Sequence, residues 1–312
     1  MKSFRIPPST DLVLTEKILA LKKNKNAVIL AHYYQTPDIQ DIADYVGDSL
    51  GLSQQAAKTD ADVIVFAGVH FMAETAKILN PTKKVVLPDL AASCSLAEGC
   101  HPDDFKRFLT LYPDHKVISY VNCSAEIKAM SDVICTSANA ERIVNSFPRT
   151  QSLIFAPDKN LGHFINQKTK RNMILWDGAC MVHEAFSIEK ILMLQKEHPD
   201  AKFIAHPESE KHILNVASYI GSTTEMINYA AEDPGQKFIV ATEAGILHKM
   251  QQRVPDKTLI AAPAKEDNNC ACAECAFMKM NSLEKLYACL KDESPEITVP
   301  EQIITRALLP LQ

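Results

Sequence analysis

The chain lacks any apolar run of the roughly 18 residues that a membrane-crossing helix needs. It also lacks a long basic stripe, and with a formal net charge of -5 it offers nothing to attract nucleic acid. The opening residues, MKSFRIPPSTDLVLTEK, contain no apolar core of a secretory signal. Neither GxGxxG nor a Walker loop occurs, so a nucleotide cofactor is not indicated. These absences leave a globular chain, expected in the cytoplasm. Its 312 residues, 46% hydrophobic and 23% charged, suffice for two or three domains.

Cysteine, by contrast, is plentiful. Nine cysteines occur, an odd number at irregular spacing, which in a reducing compartment points away from a disulfide framework and towards metal binding or catalysis. Cys123, Cys135 and Cys289 sit among apolar or small residues and read as buried small hydrophobes. Cys270, Cys272 and Cys275 crowd into DNNCACAECAFMKMN, one short of a four-thiolate site.

An internal repeat organises the chain. AVILAHYYQTPDIQDIADYVGDS, HKVISYVNCSAEIKAMSDVICTS and AKFIAHPESEKHILNVASYIGST each open with a short β-branched run and continue with helical spacing. His32, Tyr120 and His206 follow the first strand, and thirteen residues on Tyr45, Val133 and Tyr219 begin the second, without a gap in any copy. The third strands VIVFAG, SLIFAP and KFIVAT lead into helices, and the fourth strands lie in KVVLPD, NMILWDG and TLIAAP. Strands alternating with helices predict parallel sheets flanked by helices. The expected fold is α/β: three homologous three-layer α/β/α domains over residues 1–100, 101–190 and 191–281 around a pseudo-threefold axis, with a helical extension at 282–312.

A cysteine follows the fourth strand of each copy: Cys94 and Cys100 in LPDLAASCSLAEGC, Cys180 in LWDGACMVHEAF, and the three-cysteine cluster in the third. Loops beyond the carboxyl ends of parallel strands carry binding groups. One thiolate per repeat is therefore expected to meet at a common centre: Cys94, Cys180 and one of the last three. Three thiolates suit a [4Fe–4S] cluster with one iron left open as a Lewis acid, or a catalytic zinc that completes its shell with water.

The stretches AHYYQTPDIQDIADYVGDS, FMAETAKILNP, LPDLAASCSLA, YVNCSAEIKAMSDVICTSANA, HPES, GSTTEM and CAFMKMN resemble the quinolinate synthases of NAD biosynthesis, in the right order over about residues 25–290. The resemblance implies an oxygen-sensitive [4Fe–4S] cluster on Cys94, Cys180 and Cys275. It also implies condensation of iminoaspartate with dihydroxyacetone phosphate to quinolinate, phosphate and water, with the enzyme that supplies iminoaspartate as a partner. Family members with a CxxCxxC run raise a regulatory Cys272–Cys275 disulfide. Against it, Asn269 stands where the first cysteine of that triplet would fall.

His32 and Tyr34, Tyr120 and Asn122, and His206 and Glu208 hold matching positions after the first strands, and the family's active-site residues fall on them. Glu208 and His206 are expected as an acid/base pair for enolisation and dehydration, with Tyr34 and His32 assisting phosphate loss and isomerisation of the triose. Ser49, Ser137, Ser222 and Thr223 stand where the second strands give way to helices, whose free N–H groups suit carboxylates and phosphate. Phe71 is expected as an aromatic wall. His183 and Glu184 read as a solvated face. Three alternatives stay open: another three-cysteine [4Fe–4S] hydro-lyase, a zinc enzyme, and a non-enzymatic iron–sulfur sensor.

Overall fold

The structure, a computed structural model, describes residues 12–265 and 273–311. Cys270 and Cys272, and with them any Cys272–Cys275 pairing, lie outside the described residues.

Among the described residues, twelve strands form three four-stranded sheets. The first comprises β1 (Ala27–His32), β2 (Tyr45–Gly47), β3 (Val63–Ala67) and β4 (Lys84–Val86). The second comprises β5 (Lys116–Tyr120), β6 (Val133–Cys135), β7 (Leu153–Ala156) and β8 (Ile174–Leu175). The third comprises β9 (Lys202–Ala205), β10 (Tyr219–Ile220), β11 (Lys237–Ala241) and β12 (Thr258–Ala261). All pairings within the sheets are parallel, and each sheet has its strands in the same order: second, first, third, fourth. The second strands begin at Tyr45, Val133 and Tyr219, where the repeat put them. A helix also precedes each first strand, at Leu12–Asn24, Pro102–Thr110 and Ile188–Glu197. Residue 190, the expected end of the second repeat, falls inside the last of these.

The apolar strand runs follow from burial on both faces. Val28 and Leu30 of β1 enter one core while Ile29 and Ala31 enter another, the period of two that a pleated strand imposes. In β9, Phe203 and Ala205 face one core and Ile204 the opposite one. Cores are not confined to single sheets. Leu30 and Phe66 of the first sheet share theirs with Ile118 and Phe155 of the second.

The C-terminal segment is no free-standing extension. Leu283, Leu286 and Leu290 of helix Leu283–Asp292 complete the core that holds Ile18 and Ile29. Residues 295–297 then run along β4, with Leu87 N–H donating to Pro295 O and Ile297 N–H to Val85 O. Ala307 of the final helix, Glu301–Leu311, packs with Ile78 and Ala125, tying the first unit to the second. Among the described residues, no helix is long and apolar enough to cross a membrane. Cys123, Cys135 and Cys289 are buried, as their sequence contexts predict.

Candidate functional site

The carboxyl ends of all three sheets contribute to one cavity, whose atom-free space, counted with the solvent it opens onto, is about 680 Å³. Its wall includes His32, Tyr34, Ser49 and Phe71 from the first unit and Tyr120, Asn122 and Ser137 from the second. His206, Glu208 and Thr223 come from the third. Cys94, Cys180 and Cys275 line the same space.

The three cysteines share a local device. Each opens a single helical turn in which its carbonyl accepts from the N–H four residues on: Glu98 to Cys94 at 2.9 Å, Glu184 to Cys180 at 3.0 Å, and Lys279 to Cys275 at 3.1 Å. The turn also directs backbone N–H groups at the sulfur, from Leu96 and Ala97 at Cys94, His183 at Cys180, and Phe277 and Met278 at Cys275. An apolar residue sits two positions after each cysteine (Leu96, Val182, Phe277), so CSLAE, CMVHE and CAFMK are one motif. Ser95 ties the first two turns together: Met181 N–H donates to its hydroxyl at 3.1 Å, and that hydroxyl reaches Ala179 O at 3.4 Å. The third turn is held by Glu243, a buried carboxylate that accepts from Cys275 N–H at 3.1 Å and pairs with Lys279 at 3.0 Å. Burial pushes the free thiols up, Cys94 to about 12, so a metal centre would displace their protons on binding. Three inward thiols, each cradled by N–H donors, fit a cluster held through three of its irons.

The strand-end pairs form a second layer of chemistry. Tyr34 N–H donates to His32 Nδ1 at 3.2 Å, and Glu208 N–H to His206 Nδ1 at 3.4 Å. Both imidazoles therefore use Nδ1 as an acceptor. Burial lowers His32 to about 4 and His206 to about 3, leaving both neutral at pH 7. His206 Nε2 lies 3.2 Å from Ser137 Oγ. Burial works to raise the Glu208 carboxyl, but His183 beside it, with His206 and the Tyr120 hydroxyl, holds it down to about 2. Tyr120 donates to Glu208 Oε1 at 2.5 Å. Burial pushes the Tyr34 and Tyr120 phenols well above their ordinary range, so both stay protonated.

His183 departs from the sequence reading. It is 1% exposed, not part of a solvated face. Its Nδ1 lies 3.1 Å from Glu208 Oε2 and 3.2 Å from Cys180 Sγ, and its Nε2 lies 3.0 Å from Thr242 Oγ1. Cys180, His183 and Glu208 stand within 4.8 Å of one another, close enough to share a single ion. Glu184, half-buried, faces Lys159 at 3.8 Å. Two hydroxyls expected at helix starts also sit differently. Ser137 lies in a turn ahead of helix Ala140–Ser146, whose cap is Asn139. Ser222 caps helix Thr223–Glu232 in a reciprocal box with Glu225 and is not on the cavity wall. Ser49 and Thr223 do open helices. Phe71 both lines the cavity and lies in the core, with Lys128 Nζ 5.4 Å from its ring centre. Asp48 was missed by sequence reading. It lines the cavity, caps helix Ser49–Lys58 and accepts from Thr224 Oγ1 at 2.6 Å.

A site at the carboxyl ends of parallel strands, built from several sheets and rich in buried titratable groups, defines an α/β enzyme. The family model for quinolinate synthetase A protein matches residues 16–312. Proteins named quinolinate synthase are similar over nearly the whole chain. That of Microcystis aeruginosa is 64% identical, covering 95% of this chain and 92% of its own. That of Gloeothece citriformis is 63% identical, covering 98% and 94%. That of a Synechococcus species is 59% identical, covering 98% and 96%. The chain belongs to the quinolinate synthetase A family.

Proposed function

We propose that this enzyme condenses iminoaspartate with dihydroxyacetone phosphate to give quinolinate, phosphate and water. The observation that carries the reading is the thrice-used cysteine turn, one after the fourth strand of each sheet, with all three sulfurs on one cavity wall. Cys94, Cys180 and Cys275 would hold a [4Fe–4S] cluster, which supplies, when bound, one iron without a protein thiolate as a Lewis acid for a substrate hydroxyl or carboxylate.

The protein's own groups divide the remaining work. The starts of the helices at Ser49 and Thr223 offer free N–H groups and hydroxyls to the carboxylates and phosphate. The Ser137 hydroxyl and the Asn122 amide complete the polar wall. Asn122 Oδ1 is buried and has no hydrogen-bond partner among the described residues, so it is available to a substrate donor. Glu208 is ionised and acts as the base that removes a carbon- or nitrogen-bound proton, with neutral His206 as its companion. Tyr34 and His32, protonated phenol and neutral imidazole, assist loss of phosphate and isomerisation of the triose. Phe71 and Val69 give the cavity its apolar side.

A second reading rests on the Cys180–His183–Glu208 group, whose donors match a single zinc ion. Anaerobic reconstitution with iron and sulfide, metal counting and a product assay separate the two. The cluster reading expects quinolinate from the iron-loaded protein and its loss in Cys94→Ser, Cys180→Ser and Cys275→Ser. Quinolinate formation by a zinc-loaded, iron-free protein would overturn it.

A further inference from the structure

Thr242 is the residue just beyond β11, buried and outside the set of cavity-lining side chains. Its hydroxyl nevertheless meets two groups that are. Thr242 Oγ1 lies 2.6 Å from the Tyr34 hydroxyl and 3.0 Å from His183 Nε2. A threonine offers one proton and can accept in return, so the directions of these two bonds are linked.

Through His183 the two bonds reach the carboxylate of Glu208. The opposite nitrogen of His183, Nδ1, faces Glu208 Oε2 at 3.1 Å. An ionised carboxylate only accepts, so the bond to Glu208 needs a proton on Nδ1, which also lies 3.2 Å from Cys180 Sγ. Thr242 Oγ1 bridges Nε2 and the Tyr34 hydroxyl. Glu208 receives the Tyr120 hydroxyl on its other oxygen at 2.5 Å. The chain of hydrogen bonds runs from Tyr34 through Thr242 and His183 to Glu208, and all three sheet units contribute to it.

We infer that Thr242 is a positioning residue: its hydroxyl holds Tyr34 in the orientation that turns its phenol oxygen to the substrate and holds the His183 ring with Nδ1 facing Glu208. The inference rests on the proposed roles of Tyr34 and Glu208. Packing places Thr242 for this task. The backbone that follows it is fixed by Glu243, which accepts from Gly245 N–H at 2.6 Å, and by Ala244 N–H, which donates to Ala273 O at 3.1 Å.

The test compares Thr242→Val, which keeps the shape and removes the hydroxyl, with Thr242→Ser, which keeps the hydroxyl, both in the anaerobically reconstituted enzyme. Thr242→Val is expected to lower kcat on the order of 10-fold, with KM within about twofold and iron content and melting temperature at the wild-type level. Thr242→Ser is expected to restore most of kcat. In a Tyr34→Phe background, Thr242→Val should cost less than it does alone, because one of its two partners has gone. Wild-type kcat in Thr242→Val would overturn the inference, as would equal losses in Val and Ser accompanied by a fall in melting temperature. An additive Tyr34→Phe/Thr242→Val pair would overturn its Tyr34 arm. Failure of the iron-loaded wild type to form quinolinate would instead overturn the proposed function, and this inference with it.

Discussion

The first and third units end their first strands on the same backbone device and use it for opposite chemistry. In each, a buried histidine accepts at Nδ1 from the N–H two residues on. What that second residue brings is different. In the first unit it is Tyr34, a phenol kept protonated by burial; in the third it is Glu208, a carboxylate kept ionised by its neighbours. The second unit has Tyr120 and Asn122 at the two positions, and Tyr120 donates into Glu208. Among the six side chains at these positions, Glu208 alone carries a fixed charge at neutral pH. The repeat conserves the way a side chain is aimed, while the identity of the side chain sets what happens at the tip. One ionised base ringed by neutral donors suits the proton removal that the proposed function asks of this cavity.

Changing the third unit's member of the pair should cost most. Glu208→Gln is expected to lower turnover by on the order of 100-fold or more while iron content stays unchanged, and Tyr34→Phe by on the order of 10-fold. Equal losses in steady-state assays of the two variants would break the comparison.

The shared histidine device makes a prediction about acid. Burial takes His32 down from 6.5 to about 4. Below pH 6.5 the unfolded chain takes up a proton that the native ring refuses until about pH 4. Stability is therefore level above pH 6.5, falls as pH drops between 6.5 and about 4, and loses on the order of 3 kcal/mol from this group across that range. Thermal unfolding of His32→Gln against pH should show a shallower fall than the wild type. Parallel curves would show that the ring is not held neutral.

Where the two units touch, Gly245 sits against the Tyr34 backbone. A β-carbon there would lie 2.9 Å from Tyr34 C, 3.0 Å from Gln35 O and 2.7 Å from Glu243 Oε2. Gly245→Ala is expected to destabilise by about 2 kcal/mol in denaturant titration and to lower kcat through Tyr34. Unchanged stability and kcat would show that the contact between the units is slack.

The smallest effect is expected at the outer surface. Glu293 pairs with Lys25 and Lys84, each at 2.6 Å, and these ammonium groups hold its carboxyl down to about 2. This contribution is present above the ordinary carboxylate range and is lost as pH falls towards about 2. Solvent screens the pair, so Glu293→Gln should cost less than about 1 kcal/mol in the same titration and leave kcat alone. A larger loss would place an anchoring contact on this edge.

The strand pattern was legible because both its signals are local. A buried parallel strand must be apolar, and thirteen residues from strand to strand is a spacing any reader of the chain can count. That a cysteine from each unit would reach a common cavity was legible for a related reason: each follows a fourth strand, where a parallel sheet presents its loops, although singling out Cys275 in the third unit took the family resemblance. His183 was not. In CMVHEAF it is followed by a glutamate and looks solvent-facing. Its burial comes from Glu208 and Thr242, distant in sequence and brought up by the third sheet. Thr242 had a signal that went unused, since KFIVAT aligns it with the residues that close VIVFAG and SLIFAP at the cavity end of the sheets. The capping role of Ser222 was readable too, in Ser222-Thr223-Thr224-Glu225. The offset of Ser137 was not, because it depends on Asn139 Oδ1 taking up Thr136 N–H at 2.7 Å and delaying the helix.

The central claim is that three repeated turns deliver one sulfur each to a shared iron–sulfur centre. The most direct test is metal and sulfide analysis of the anaerobically reconstituted protein beside its Cys94→Ser, Cys180→Ser and Cys275→Ser variants. The account predicts about four irons and four sulfides per chain in the wild type and a marked loss in every variant. A full complement of iron in any one of the three variants would contradict it.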